Sequence, residues 1–270
     1  MIKALVIGNP TIDVIEGNYE GPGGPVAYVS NTLNYLGYET IEIITSFGKD
    51  YSVDNFNSKE NLNNIESTQT NKFRIFYKDN KRKMQAISYG RKIHLDSIKT
   101  NIRKKDIIFV APVLDEFSIS ETEKLMQSNR DAFFVGIPQG WTRKTVNKKV
   151  VSDFSNINKF PFFDIIFFSE DDLSDAKISR KSLLNLADIL VITQGSKGAE
   201  IYNGDSIINI PPFKVKAIDT VGAGDIFAAV FASKFYSSRN LHKAGKMASK
   251  ISAESTKFIG LNSVNSKIFL

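Results

Sequence analysis

The hydrophobic positions of this chain fall into short runs that are separated by amphipathic segments. Runs of apolar, often β-branched residues are typical of strands buried on both faces of a sheet, and they occur at residues 3–8, 41–48, 106–112, 133–138, 164–169 and 187–195. Between the first two runs, apolar residues recur at helical spacing, at Val26, Val29, Leu33 and Leu36. We therefore predict an α/β fold in which helices alternate with the strands of a mostly parallel sheet.

Residues 72–90 follow a different pattern, because apolar and polar positions alternate on both sides of the turn-like tetrapeptide KDNK. This alternation predicts a β-hairpin and suits an exposed flap better than a central strand. Residues 51–65 have only a weak helical pattern, whereas the last third of the chain predicts two helices that pack on the sheet. Since no repeat or linker divides the chain, we predict one domain over residues 1–270.

The composition excludes several kinds of functional site. The chain has 270 residues and no cysteine, which excludes disulfides, thiolate catalysis and cysteine-based metal sites. Its two histidines, His94 and His242, are far apart in sequence, so we expect neither a histidine metal site nor a Ser–His triad. A metal ion here would be a hard cation held by oxygen, such as magnesium.

The net charge of +6 comes from scattered basic residues without a long basic run. This distribution favours a lysine-rich surface over a nucleic-acid interface, and anionic small-molecule substrates suit the same charge. No window approaches the roughly 18 consecutive apolar residues of a membrane span, and the first residues predict a strand rather than a signal peptide. We expect a cytoplasmic protein that binds neither nucleic acid nor membranes.

The segment AIDTVGAGDIFAAVFA, residues 217–232, places two aspartates around a glycine pair where an apolar helix begins. A helix N-terminus presents unpaired N–H groups and a positive dipole end, which suit a phosphate or a developing oxyanion. Gly222 and Gly224, with Ala223 between them, leave this backbone unobstructed. Asp225 can serve there as a helix cap or as a general base. From these residues alone, a capped turn and an anion hole are both open, while a P-loop and a dinucleotide fingerprint are excluded.

IDTVGAGDIFAA also resembles the C-terminal signature D-T-x-G-A-G-D of the ribokinase-like, or PfkB, carbohydrate kinase family. Further similarities extend over nearly the whole chain: the diglycine segment and its helix at residues 21–37, a G-x-D at 46–50 and a T-x-G-x-x-G nucleotide loop at 191–202. The resemblance implies a three-layer α/β/α sandwich with a mostly parallel central sheet. It also implies a small β lid, for which residues 11–20 and 72–90 are the candidates.

The resemblance implies phosphoryl transfer from ATP to a hydroxyl group, which needs positioning and charge stabilisation more than covalent chemistry. Asp225 would take the proton of the acceptor hydroxyl. The backbone N–H groups of Gly222, Ala223 and Gly224 would form the anion hole for the transferring phosphoryl group. Asp219 would hold the loop in shape or order a cation near the donor.

The same resemblance implies binding residues on both sides of the reacting groups. Asp13 would hydrogen-bond substrate hydroxyls, and Gly23 and Gly24 would let the sugar approach the backbone. A capping acid and a flexible helix lead-in are the alternatives for these positions. The donor phosphates would be lined by Thr193, Gly195 and Gly198. An ordinary hairpin turn is the alternative for that loop.

The chain departs from the family at its N-x-x-E motif, because the residues after the strand at 164–169 are SEDD. Ser169 takes the place of the asparagine at the donor site. Asp172 takes the place of the glutamate and offers a shorter carboxylate to the water shell around magnesium. A helix-capping cluster of acids is an equally good interpretation.

A second group of departures concerns the acceptor. Tyr28 stands where many sugar kinases of the family carry asparagine, and its segment looks closer to the branch that contains inositol kinases and archaeal relatives. Residues 135–143 resemble a Q-G-x-x-R stretch of that branch, which implies that Gln139 and Arg143 bind substrate; a surface loop is the alternative. Trp141, the single tryptophan, favours a packing role.

We therefore expect an ATP-dependent, magnesium-requiring kinase that acts on a hydroxyl of a sugar or polyol, with an inositol-like compound as one candidate. A nucleoside kinase on the same fold is the first alternative. A non-catalytic sugar or nucleotide sensor is the second, and only the altered N-x-x-E motif supports it. Edges of the lid could pair between two subunits, so a homodimer is also expected.

Overall fold

The computed structural model describes residues 2–15, 19–78, 81–95 and 104–270, without the side chains of residues 77, 78, 81 and 82. Residues 16–18 and 79–80 of the predicted lid segments lie outside the described residues. The strands are β1 (Lys3–Ile7), β2 (Thr11–Ile15), β3 (Tyr19–Gly23), β4 (Thr40–Thr45), β5 (Leu62–Asn64), β6 (Asn71–Lys78), β7 (Lys81–Ser88), β8 (Ile107–Val110), β9 (Phe133–Gly136), β10 (Arg143–Val146), β11 (Lys149–Ser152), β12 (Phe163–Ser169), β13 (Ala187–Thr193), β14 (Ala199–Asn203) and β15 (Ser206–Ile210). The α-helices are α1 (Pro25–Tyr35), α2 (Ile119–Ser128), α3 (Glu170–Ala176), α4 (Ala223–Ser238) and α5 (Leu241–Ser255).

The larger sheet has the strand order β15-β14-β13-β12-β9-β8-β1-β4-β5. Its strands from β13 to β5 are parallel, and β14 and β15 extend it as an antiparallel hairpin. Because side chains alternate along a strand, Val6 lies in the core that contains residues of α1, α4 and α5, whereas Leu5 and Ile7 lie in the core that contains residues of α2 and α3. Helices therefore cover both faces, which confirms the predicted three-layer α/β/α sandwich.

A smaller second sheet has the order β10-β11-β7-β6-β2-β3. It contains the described parts of both segments for which we predict a lid, and β2 pairs in parallel with β6. One face of this sheet packs on the loop after β8, where Phe73 and Ala86 contact Val113. The second sheet thus lies against the carboxyl ends of the parallel strands, where ligands bind in open α/β sheets.

The β10–β11 hairpin is a part of the second sheet that the sequence pattern does not predict. Asn147 and Lys148 form its turn with φ angles of 48° and 65°. Positive φ at both central residues is the geometry of a type I′ turn, which usually carries Asn-Gly. Because lysine occupies the second position and both strands are short and charged, the segment lacks the usual signal of a hairpin.

Residues 51–65 also differ from their weak helical pattern. They form two single 3₁₀ turns, Val53–Asn55 and Lys59–Asn61, followed by the edge strand β5. The two helices predicted for the last third of the chain are present as α4 and α5. No helix within the described parts of the chain has the length and apolar character needed to cross a membrane.

Candidate active site

The N-terminus of α4 forms an open backbone site at the carboxyl edge of the larger sheet. Gly222 is its N-cap with φ of 78°, and this cap makes no side-chain hydrogen bond. A Cβ atom at Gly222 would overlap the ring of Tyr28, whereas a Cβ at Gly224 would meet no atom within 4 Å. The N–H of Ala223 donates to the carbonyl of Thr220 at 3.3 Å, whereas the space beside Gly224 is open to an anion. Glycine is required at 222 by both its positive φ and the packing of Tyr28.

The two aspartates of the signature have different environments. Asp225, in the first turn of α4, is 7% exposed. Asp219 holds the preceding loop, because its Oδ1 accepts from the N–H of Val221 at 3.0 Å and its Oδ2 accepts from the N–H of Gly260 at 2.9 Å. The loop geometry thus depends on Asp219, while Asp225 lies beside the backbone of the helix start.

Asp225 is connected by side chains to three other predicted site residues. Gln139 Nε2 donates to Asp225 Oδ1 at 3.3 Å, and Gln139 Oε1 accepts from Arg143 Nη1 at 2.6 Å. Arg143 Nη2 donates to both carboxylate oxygens of Asp172, at 3.2 and 2.9 Å. We call the chain Asp225–Gln139–Arg143–Asp172 the relay. It joins the helix start to the second sheet and to α3.

Asp13 lies in β2, on the second sheet, and is 6% exposed. Its Oδ1 accepts from the hydroxyl of Thr11 at 2.8 Å. A Cβ at Gly23 would overlap the carboxylate of Asp13, and a Cβ at Gly24, where φ is 91°, would lie 2.7 Å from the backbone nitrogen of Thr11. The diglycine therefore allows the backbone to approach Asp13 closely, which a larger residue would prevent.

Tyr28 lies between the predicted acceptor and donor residues. Burial raises the pKa of its hydroxyl well above the usual value, and the negative charges of Asp13, Asp219 and Asp225 raise it further. The ring is 1% exposed, and the hydroxyl oxygen has no hydrogen-bond partner among the residues that the structure describes. The sequence marks Tyr28 as a departure, but its position beneath Gly222 follows only from the fold.

Two other tyrosines near Asp13 were not found by sequence reasoning. Burial raises the pKa of Tyr51, followed by the charge of Asp13, and its buried hydroxyl has no partner within the described ranges. Burial also raises the pKa of Tyr19, with Asp13 and Asp219 contributing. No motif signals either residue, since they lie on separate segments that meet only in the folded chain.

The predicted donor residues lie at the ends of two neighbouring strands. Ser169 and Thr193 are register partners of β12 and β13. Ser169 caps α3 by accepting from the N–H of Asp171 at 3.2 Å. Gly195 has φ of 55° in open space, and Gly198 has φ of 103° with its Cα packed against the carbonyl of Ile210. Both glycines adopt left-handed backbone that other residues disfavour.

Ion pairs and hydrogen bonds hold the donor loop at residues 193–198 in place. Arg180 donates to Glu200 at 2.6 Å and to Glu170 at 2.7 Å, and Gln194 donates to Glu200 at 3.0 Å. The hydroxyl of Tyr202 donates to Glu200, and burial together with this carboxylate raises the pKa of Tyr202 to about 12. The loop is therefore fixed before any donor arrives.

An open cavity of about 400 Å³ lies beside the start of β10. Its lining includes Arg143 but none of Asp13, Asp219 and Asp225. Among the described residues, no group of three or more acidic or histidine side chains is arranged to hold a metal ion. A divalent cation at this edge would therefore need waters or donor phosphates in addition to one or two carboxylates.

The sequence profile of the pfkB family carbohydrate kinase matches residues 15–267 of this chain. A nucleoside kinase of Methanocaldococcus jannaschii is 26% identical over 237 residues, which cover 83% of this chain and 75% of that protein.

Solved structures share the whole architecture. A pyrophosphate-dependent kinase in the ribokinase family, complexed with a pyrophosphate analog and myo-inositol, has a TM-score of 0.79 and 19% identity, covering 97% of this chain and 98% of that one. Ribokinase from Thermotoga maritima has a TM-score of 0.73 and 18% identity, covering 98% and 96%. At these identities the likeness establishes the fold alone.

Proposed function

The chain belongs to the PfkB family of carbohydrate kinases, and from this premise we propose that it transfers a phosphoryl group from ATP, with magnesium, to a hydroxyl of a sugar or polyol. Kinases of this family are phosphotransferases with a hydroxyl acceptor, so the chain is a sugar or nucleoside kinase of the ribokinase type. The alternative of a non-catalytic sensor is therefore set aside. The finer assignment depends on the site.

The observation that carries the proposal is the arrangement at the start of α4. Asp225 is buried in the first turn, beside backbone N–H groups that no side chain caps. In the proposed reaction Asp225 accepts the proton of the acceptor hydroxyl while the oxygen of that hydroxyl forms a bond to phosphorus. The bond from phosphorus to the leaving donor oxygen breaks, and the N–H groups of residues 222–224 stabilise the charge on the transferring group.

The acceptor would bind between the two sheets. Asp13 supports this placement, because its carboxylate lies directly beside Gly23 and a carboxylate accepts the hydrogen bonds that substrate hydroxyls donate. Gly23 and Gly24 leave room for a ring beside it. We also propose that the second sheet acts as a lid, because the acceptor would then react away from water.

The donor phosphates would lie over the loop of Thr193, Gly195 and Gly198, next to Ser169. Asp219 would act by holding the anion-hole loop, since both of its oxygens accept backbone N–H groups. Ile218 and Ile259 are exposed and precede Asp219 and Gly260, which are hydrogen-bonded to each other. We propose that these two isoleucines contact an adenine base. We propose ATP as the donor on this basis, whereas one structural relative depends on pyrophosphate.

Magnesium would enter this site as an ion carried by the donor. Mg²⁺ is usually held by one or two carboxylates, waters and substrate phosphates, and Asp172 is the carboxylate that we propose for it. When bound, the ion would neutralise charge on the donor phosphates. Arg143 contacts both oxygens of Asp172, and this carboxylate would hold the ion through a water of its shell.

A substrate panel with two donors tests the proposal. We expect turnover of at least one compound among inositols, ribose, fructose, ketodeoxygluconate and nucleosides, with ADP formed from ATP and with Mg²⁺ required. Phosphorus NMR of each product identifies the phosphorylated hydroxyl. Turnover with pyrophosphate alone would overturn the donor assignment, and absence of turnover with every acceptor would overturn the proposed substrate class.

A nucleoside kinase is the second candidate, supported by the similarity to the Methanocaldococcus jannaschii protein over most of the chain. The same panel separates the two candidates. A kcat/KM for any nucleoside that exceeds those for all sugars and polyols would favour the second.

A further inference from the structure

We propose that Gln139 and Arg143 act as positioning residues, which fix the carboxylate of Asp225 in the orientation and ionised form that a base needs. This inference rests on the proposed role of Asp225. It differs from the expectation that both side chains bind substrate, because their observed partners are Asp225 and Asp172.

The chemistry of the relay allows only one orientation of the Gln139 amide. A guanidinium can only donate hydrogen bonds, and a carboxylate can only accept them. Gln139 must therefore present Oε1 to Arg143, at 2.6 Å, and Nε2 to Asp225, at 3.3 Å. A hydrogen bond donated to a carboxylate favours its ionised form. Glutamine suits this position because its amide offers both an acceptor oxygen and a donor nitrogen at its tip.

Arg143 is itself held from the opposite side. Its Nη2 contacts both oxygens of Asp172, and the two side chains are 13% and 20% exposed. An ion pair that is this well covered is screened less by salt than a surface pair. Asp172 thus serves as the fixed end of the relay, and the planar guanidinium transmits its position to Gln139.

The relay also joins separate parts of the fold. Arg143 begins β10 in the second sheet, Asp172 lies in α3, and Asp225 lies in α4. The contact between Gln139 and Asp225 links residues 86 positions apart. All the hydrogen bonds of the relay therefore form only when β10 lies next to α3 as observed.

The test compares the pH profiles of kcat/KM for Gln139→Met, Arg143→Met and the double variant with that of the unchanged protein. The acid limb of the profile reports the base of the free enzyme. Loss of one charge-assisted hydrogen bond is expected to move this limb up by about 1 pH unit. Because the two residues act in series, the double variant is expected to match the stronger single variant rather than multiply both effects.

Two further variants make the test specific. Gln139→Glu keeps the shape but faces Asp225 with a second carboxylate, so its acid limb is expected to move further than that of Gln139→Met. It also leaves the ion pair of Arg143 intact, which preserves the test if Arg143→Met does not fold. Lys144→Met is the control, because Lys144 is exposed and pairs with Asp153; its profile is expected to stay unchanged.

An unmoved acid limb together with a raised KM for the acceptor would overturn the proposal and return both residues to substrate binding. Multiplicative effects in the double variant would also contradict it. These failures differ from failure of the proposed function, which would appear as retained turnover in Asp225→Asn. If that variant is inactive while the Gln139 variants keep the original profile, only the relay is wrong.

Discussion

Asp225 combines near-complete burial with a position in the first turn of α4, next to the uncrowded backbone of Gly224. Replacing it with asparagine keeps the shape and still lets Gln139 donate to an oxygen. The variant lacks a proton acceptor, so kcat is expected to fall by about 10²–10⁴, which corresponds to roughly 3–5 kcal/mol of barrier. Steady-state kinetics and a thermal melt measure the two effects, and the melting temperature is expected to change little. Turnover close to that of the unchanged protein would contradict the role of Asp225.

The hydroxyl of Tyr28 is a second residue-level feature of the site, because it is buried without a hydrogen-bond partner among the described residues. A buried hydroxyl without a partner costs about 1–3 kcal/mol of desolvation, so Tyr28→Phe is expected to raise the free energy of unfolding by about 1 kcal/mol. Urea unfolding of the ligand-free protein measures it.

Tyr38 offers a matched control, because its hydroxyl donates to Ser233 Oγ at 2.9 Å. Tyr38→Phe is expected to lower the free energy of unfolding by about 1 kcal/mol. Equal losses in both variants would mean that the Tyr28 hydroxyl is bonded after all.

At the scale of secondary-structure elements, a substitution at the start of α4 is expected to affect helix stability and phosphate binding in opposite directions. Gly224→Ala introduces a better helix former into open space, so the free energy of unfolding is expected to rise by up to about 1 kcal/mol. Its methyl group would stand where the transferring phosphoryl group is proposed to bind, and kcat/KM is expected to fall by about 10–100-fold.

Gly222→Ala is the comparison for that prediction. Its φ of 78° and the neighbouring ring of Tyr28 leave no room for a methyl group. Chemical unfolding is expected to show a loss of stability in this variant, opposite in sign to Gly224→Ala. A more stable Gly224→Ala variant with full activity would place the phosphoryl group elsewhere.

The elements also show what the sequence could predict. Buried parallel strands carry continuous apolar runs, so six strands of the larger sheet and helix α1 could be found by pattern. The β10–β11 hairpin could not, because its turn uses Lys148 at positive φ and its four-residue strands, RKTV and KVVS, show no alternation of polar and apolar residues. The edge strand β5, three residues long, is too short for periodicity to appear.

Some residues of the candidate site could also be predicted from the sequence, whereas their contacts could not. The signature around residues 219–225, the diglycine and the strand-end residues could be singled out from local sequence and family resemblance. The relay could not, since the contact of Gln139 with Asp225 depends on how β9 and α4 pack. Resemblance alone therefore places Gln139 and Arg143 near the substrate, whereas the structure adds the partners that they contact.

At the scale of the whole molecule, one buried carboxylate ties together the segments that carry the site. Glu116 is 3% exposed and accepts from the N–H groups of Asn9, at 2.9 Å, and of Val113 and Leu114, each at 2.8 Å. The side chain of Asn9 in turn accepts from the N–H of Ser46 at 2.8 Å. The loops after β1, β4 and β8 are thus fixed to one another at the carboxyl edge.

Glu116→Gln tests this connection, because the amide of glutamine turns donors towards backbone N–H groups that also donate. Leaving these buried groups without acceptors is expected to lower the free energy of unfolding by about 2–4 kcal/mol. Gln127→Glu, in the exposed last turn of α2, is a control for the same exchange of groups at the surface, and it is expected to have little effect.

The contribution of Glu116 to the free energy of unfolding is expected to depend on pH. Burial raises the pKa of Glu116 above its usual range, and the backbone N–H groups that it accepts lower it only in part. The folded state therefore binds this proton more tightly than the unfolded chain does, so the contribution of Glu116 to stability is largest below the unfolded pKa of about 4.3 and declines as the pH rises through the folded pKa. The difference in free energy of unfolding between the unchanged protein and Glu116→Gln is accordingly expected to become smaller from acid towards neutral pH. Urea unfolding at several pH values measures it. A difference that widens over the same interval would show that the three N–H groups outweigh burial, and that the carboxylate form holds the edge of the sheet together.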